Sequence, residues 1–127
     1  MTAKEILENY PKAANEASRY FYEKLVNSLV DADVSEEYKE FIKSQEMGNE
    51  FMTNVIDTNP RAFFDVFDSH DIFIQTHIKW EGDDATFGWT IERAGIDTIG
   101  SSNNYPYRDI AERFAIEKAF DYLNNQL

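Results

Sequence analysis

The sequence predicts an α+β fold in which N-terminal helices and one C-terminal helix enclose a small antiparallel sheet. Apolar residues recur at spacings of three and four up to Phe67, the period drops to two between Ile72 and Ile91, and helical spacing returns after Pro106. No internal repeat, low-complexity tract or linker interrupts the chain, so its 127 residues are expected to form a single domain, 1–127.

Helical structure is expected over 3–30, 36–57 and 60–68. Thr2-Ala3-Lys4-Glu5 has the pattern of a capping box, in which hydroxyl and carboxylate serve opposite backbone donors. Pro11 interrupts this first helix and suits the first turn of a renewed one. There Ala14, Ala17, Phe21, Leu25 and Ser28 form a stripe running to about Val30. Asp31 to Val34 reads as a connection, and Ser35 as an N-cap with Glu36 and Glu37 at the positive end of the helix dipole. Tyr38, Phe41, Ile42 and Gln45 mark the next face, continued by Met52, Val55 and Ile56 beyond a kink or break at Gly48. Asn59-Pro60 signals the opening of a short helix carrying Phe63, Phe64 and Phe67, closed by Asp68-Ser69-His70.

The strands follow as a hairpin or a small three-stranded sheet. Ile72, Ile74, Thr76, Ile78 and Trp80 alternate with Phe73, Gln75, His77 and Lys79 over 72–80, and Phe87, Trp89 and Ile91 alternate with Gly88, Thr90 and Glu92 over 86–93. Glu81-Gly82-Asp83-Asp84 between them is turn chemistry. A short third strand falls over 95–99, and Ser101-Ser102-Asn103-Asn104-Tyr105 reads as a loop. Pro106 is expected to open the last helix, 106–125. The apolar residues of that helix cover about two-thirds of its circumference, with Ala111, Ala115 and Ala119 central and Phe114 and Phe120 towards the edges. So wide a sector predicts cover on two sides, with Phe114 and Phe120 both buried against different neighbours.

Twelve Lys and Arg against 24 Asp and Glu give a net charge of −12, spread along the chain. Such a surface repels phosphate backbones, so no direct nucleic-acid binding is expected. No long apolar run predicts a membrane span, and the charged start, Lys4 and Glu5, does not resemble a signal peptide, which points to a cytoplasmic protein. Zero Cys removes thiolate nucleophiles and thiolate metal sites, and the five Gly form no phosphate-binding motif. No cofactor and no catalytic residue is predicted. Asp65, Asp68, His70 and Asp71 come nearest to a metal site, but Asp and Ser at a helix end are ordinary turn formers, and no metal is expected.

Aromatic residues make up 15% of the chain, and most belong to the core. Tyr105, Tyr107 and Arg108, at the junction of the polar loop with the last helix, are residue types enriched at binding hot spots. With the acidic pairs Glu36-Glu37 and Asp83-Asp84 they form the candidate partner-binding set. The last fifty or so residues, a tryptophan-bearing hairpin, a polar loop and an Ala/Phe-rich helix, resemble small proteins encoded by phages and other mobile elements. That resemblance carries no diagnostic motif and transfers no functional residue. The leading functional expectation is a small acidic, non-enzymatic protein-binding module. Its phage-type version is an inhibitor that occupies a basic, nucleic-acid-binding surface of a partner. One alternative is a structural or assembly protein that forms a homo-oligomer through its C-terminal helix. The other is a small metal-dependent enzyme.

Overall fold

The structure is a computed structural model and describes residues 2–30, 35–37 and 49–127. Its elements are α1 (Ala3–Asn9), α2 (Pro11–Val30), α3 (Asn49–Thr58), α4 (Ala62–Asp68), β1 (Ile72–Glu81), β2 (Asp84–Arg93), β3 (Ile96–Tyr105) and α5 (Arg108–Gln126). The α+β class is the one expected, with the three strands antiparallel in the order β1-β2-β3 and α5 packed on them. The predicted stripe from Tyr38 to Gln45, and Gly48, lie outside the described residues.

At the N-terminus the capping box forms as predicted. Thr2 Oγ1 accepts the Glu5 N–H at 3.2 Å, and Glu5 Oε2 accepts the Thr2 N–H at 3.4 Å. Tyr10 leaves helical geometry (φ −131°, ψ 56°), as the residue before a proline tends to. The start of α2 takes its cap from the far end of the chain: Asn124 Oδ1 accepts the N–H groups of Lys12 and Ala13 at 2.9 and 3.2 Å. α4 opens two residues later than Asn59-Pro60 suggests. Residues 60 and 61 are a turn, and the Asn59 and Pro60 carbonyls accept from Ala62 and Phe63 at 3.1 Å each.

The β1–β2 hairpin is regular through ten pairs, from Ile72↔Arg93 to Glu81↔Asp84. Gly82, at φ +62°, occupies the first position of its two-residue turn, where a side chain would be strained. β3 is longer than predicted. Residues 101–105, expected as a loop, pair with β2 through Trp89↔Ser102, Thr90↔Ser101 and Phe87↔Tyr105. One register shift, between Phe87 and Trp89, accommodates them, two more fall between Ile91 and Arg93, and Asn104 takes the left-handed φ of 73° that asparagine tolerates. The last helix opens after a bend at Pro106, with Tyr107 as its N-cap.

On one face of the sheet lies α5, with Ala111, Ala115 and Ala119 fully buried; their small side chains let the layers approach. Its other side meets α2 and α4. There Phe120 is held edge-on between Phe63 and Phe67, with ring centroids 5.1 Å away in each case. The one buried charged residue of the described core, Glu112, is clasped by Arg61, whose Nε donates to Oε2 at 2.9 Å and whose Nη2 donates to Oε1.

The expected cover on two sides is therefore present, and the N-terminal helices supply the second side. The expected burial of Phe114 is not: its residue is 50% exposed, whereas Phe120 is fully buried. At about 100° per residue the buried arc of α5 runs from Ala111 round to Phe120, and Phe114 falls about 60° outside it. Tyr105 stacks on one face of its ring at 5.2 Å and leaves the other to solvent.

The outer face of the sheet is crossed by a bond between its two edge strands. His77 on β1 and Asn103 on β3 hydrogen-bond at 2.7 Å above Gly88 of the central strand. A Cβ at Gly88 would strike both polar atoms and lie 2.8 Å from the Ser102 carbonyl. Gly88→Ala should therefore cost about 1–3 kcal/mol in urea titrations, because the His77–Asn103 bond and the β3 backbone must both give way. In the same assay Phe120→Ala should cost about 3–5 kcal/mol and Phe114→Ala about 1 kcal/mol or less.

Candidate functional site

Cross-strand neighbours share a face, so the register assigns the side of the sheet that meets α5. Its rows are Ile74–Ile91–Gly100, Thr76–Trp89–Ser102, Ile78–Phe87–Tyr105 and, last, Trp80–Ala85. Burial decays along this series towards the hairpin turn. Ile91 is fully buried and Trp89 6% exposed, whereas Ile78 is 41% and Trp80 67% exposed.

The third row is built into the start of α5. Trp89 Nε1–H donates to the Tyr105 hydroxyl at 3.1 Å, which orients the Tyr105 ring against Phe114. The Arg108 guanidinium lies 5.5 Å from the centroid of the Phe87 ring, a cation–π contact at the mouth of the helix. Tyr107 caps α5 and is 65% exposed. Hollows border Phe114 on both sides. One of about 280 Å³ is lined by Tyr10, Trp89, Phe114, Glu117, Lys118 and Asp121. A smaller one, about 100 Å³, lies among Ile110, Arg113, Phe114 and Glu117. Burial pushes the Tyr10 hydroxyl pKa up, and the negative charges of Glu117, Asp121 and Glu5 add to the shift.

Of the sequence-predicted binding residues, Tyr105, Tyr107 and Arg108 are thus brought together with Phe87 and Phe114. Asp83 and Asp84 are exposed in and beside the hairpin turn, at the same end of the sheet as Trp80. Glu36 and Glu37 are exposed on the stretch between α2 and α3 and belong to none of these rows. Sequence reasoning placed Ile78, Trp80, Phe87 and Phe114 in the core or left them unassigned. For the three strand residues the available signal was their closeness to the hairpin turn, at the end of the sheet where the returning helix only begins; Phe114, on the helix itself, carried no such signal.

The group Asp65, Asp68, His70 and Asp71 terminates α4. His70 Nε2 sits 3.2 Å from Glu16 Oε2 on α2, and Asp71 takes a left-handed φ of 59° while its carbonyl accepts the Ala94 N–H. Asp65 and Asp68 are exposed, and no three His, Asp or Glu side chains converge on a metal-sized site among the described residues. Although Asp68 is exposed, partial desolvation at the helix end raises its pKa, with the neighbouring charge of Asp65 second. A polar cleft of about 420 Å³ between the α3–α4 turn and the start of α5 collects Arg61, Arg108 and Arg113, balanced by Asp57, Asp109 and Glu112. No helix among the described residues is long and apolar enough to cross a membrane.

Comparison of the chain with protein families, curated proteins and solved structures gives no match, so the functional reading rests on the geometry above.

Asp68 supplies a pH test. Its folded-state pKa is raised, so its contribution favours the fold below the unfolded carboxylate pKa and is lost as pH rises through the folded value. At neutral pH the ionised group at the end of α4 also opposes the helix dipole. Asp68→Asn should stabilise the protein by about 0.5 kcal/mol at pH 7, and thermal melts at pH 3 should show the gain gone.

Proposed function

We propose that the chain is a protein-binding module whose partner-facing surface is the hairpin end of its sheet together with the start of α5. The observation that carries this reading is one of exposure: Trp80, Tyr107 and Phe114 are at least half exposed at this one end of the molecule. Scattered apolar residues on a surface mean little, but aromatic side chains and an arginine gathered beside shallow hollows have the composition of a binding hot spot. Phe114 and Tyr105 are held by stacking and by the Trp89 hydrogen bond, so little side-chain entropy is lost when a partner covers them.

The exposed carboxylates of Glu81, Asp83 and Asp84 flank this surface, and the chain as a whole carries −12. Both favour a partner with a basic face. An inhibitor of phage or mobile-element type, occupying a nucleic-acid-binding surface, is the sharper form of the same proposal. Assembly through α5 has less support, because the buried arc of that helix is already covered within the chain and only its Phe114 edge is open. A metal-dependent enzyme has less still, since His70 is turned to Glu16.

The test is to capture the partner from source-cell extract on the immobilised chain, purify it and titrate variants against it. Trp80→Ala and Tyr107→Ala should each weaken binding by about 2 kcal/mol, roughly thirtyfold, and Phe73→Ala, on the opposite face of the sheet, should leave it unchanged. A double variant that binds like the parent would remove the hairpin end as the site. If the sharper form holds, the captured partner loses nucleic acid on binding the parent chain and keeps it with the double variant.

A further inference from the structure

β1 is an edge strand, and its backbone shows which groups point away from the sheet. In an antiparallel ladder, residue pairs that exchange both hydrogen bonds alternate with pairs that exchange none. Just before β1, the Asp71 carbonyl accepts the Ala94 N–H at 3.0 Å, which places 71↔94 in the bonded set. Counting in twos from there, Phe73, Gln75, His77 and Lys79 bond to β2. Thr76, Ile78 and Trp80 therefore direct N–H and C=O outward. From His77 to Glu81 every residue is exposed, the sheet ends at β1, and no described group bonds this outer edge.

The other edge is blunted, as natural sheets usually arrange. β3 carries three register shifts and the left-handed Asn104, which break up a continuous row of donors and acceptors. β1 has none of these features. It pairs regularly over ten residues, contains no proline, and carries β-branched Ile72, Ile74, Thr76 and Ile78 followed by Trp80 along one face. Its one lysine, Lys79, is paired with Glu81 at 3.5 Å and so does little to repel an incoming strand.

We infer that the edge of β1 from Thr76 to Trp80 takes up an extended, basic segment of a partner protein as a fourth strand. This rests on the protein-binding reading and gives it a mode of attachment. The added strand would continue both faces, with apolar side chains beside Ile78 and Trp80 and Lys or Arg within reach of Glu81, Asp83 and Asp84. Charge decides against a second copy as the occupant. Pairing β1 with a copy of itself joins two bodies of −12 each, whereas a basic segment is drawn to the same surface.

The experiment uses the full chain and three synthetic peptides of about eight residues. One alternates Val and Lys, the second has the same sequence with alternate backbone amides N-methylated, and the third alternates Val and Glu. Amide hydrogen exchange is followed by NMR. In the free chain the Thr76, Ile78 and Trp80 amides should exchange freely at every protein concentration. The Val-Lys peptide should slow them by about tenfold or more, and neither of the other peptides should. Ile78→Pro removes one outward donor and leaves the bonds to β2 intact, so it should weaken binding by about five- to tenfold, whereas Ile78→Ala should weaken it less. Three outcomes overturn the proposal. Slowing that grows with chain concentration alone makes a second copy the occupant. Equal binding of the N-methylated or Val-Glu peptide excludes backbone pairing or the charge preference. Absence of Val-Lys binding excludes strand addition, while titration of the captured partner against Trp80→Ala and Tyr107→Ala judges the hairpin-end surface independently.

Discussion

The contact on which the rest of the fold depends is the attachment of α4 to α5. It is made twice, by Arg61 clasping Glu112 and by Phe67 and Phe63 closing on Phe120, so the short helix runs alongside the long one in the same direction. Three residues after α4 the chain becomes β1, and two residues after β3 it becomes α5. Fixing α4 on α5 therefore fixes the hairpin from both ends. A bare carboxylate at Glu112 would be costly in that core, and the paired guanidinium offsets its desolvation while reaching solvent on its own far side.

Chain direction explains why the aromatic end of the sheet stays open. β3 runs towards the hairpin turn and α5 then runs back over the sheet, starting beside the Ile78–Phe87–Tyr105 row. The Trp80–Ala85 row lies beyond the point where the helix begins, so no length added to the end of α5 could cover it. Tyr107 at the cap and Phe114 about two turns on mark the rim of that cover. The surface is thus a product of topology, and the residues upon it are types that tolerate being half wet.

The helices and the hairpin were legible because each declares itself within its own segment: a period of 3.6 around Ala14 and Phe21, a period of two from Ile72 to Ile91, a capping box at Thr2. What escaped was set by distant partners. Ser101-Ser102-Asn103-Asn104 has turn composition, yet Trp89, Thr90 and His77 hold it as strand. The wheel of α5 showed how wide its apolar sector was, but which edge would be left over depended on where α4 and β3 came to lie. The Arg61–Glu112 pair joins positions 51 apart and has no local signature. Of the proposed binding surface, Tyr105, Tyr107 and Arg108 were singled out by residue type alone, and Trp80 and Phe114 needed the sheet register and the helix start.

Asn124 has a consequence for how the molecule comes to exist. Its side chain caps α2 from 112 residues away, and Phe120 and Glu112 complete the packing around α4 from about half that distance along the chain. As the polypeptide is made, α1 to α4 and the whole hairpin are synthesised before the helix that shields them. During that interval Phe63, Phe67 and Trp89 lack their cover and the first turn of α2 lacks its cap. A nascent chain in this condition invites chaperones and premature association, and maturation waits on synthesis of α5 rather than proceeding from the front.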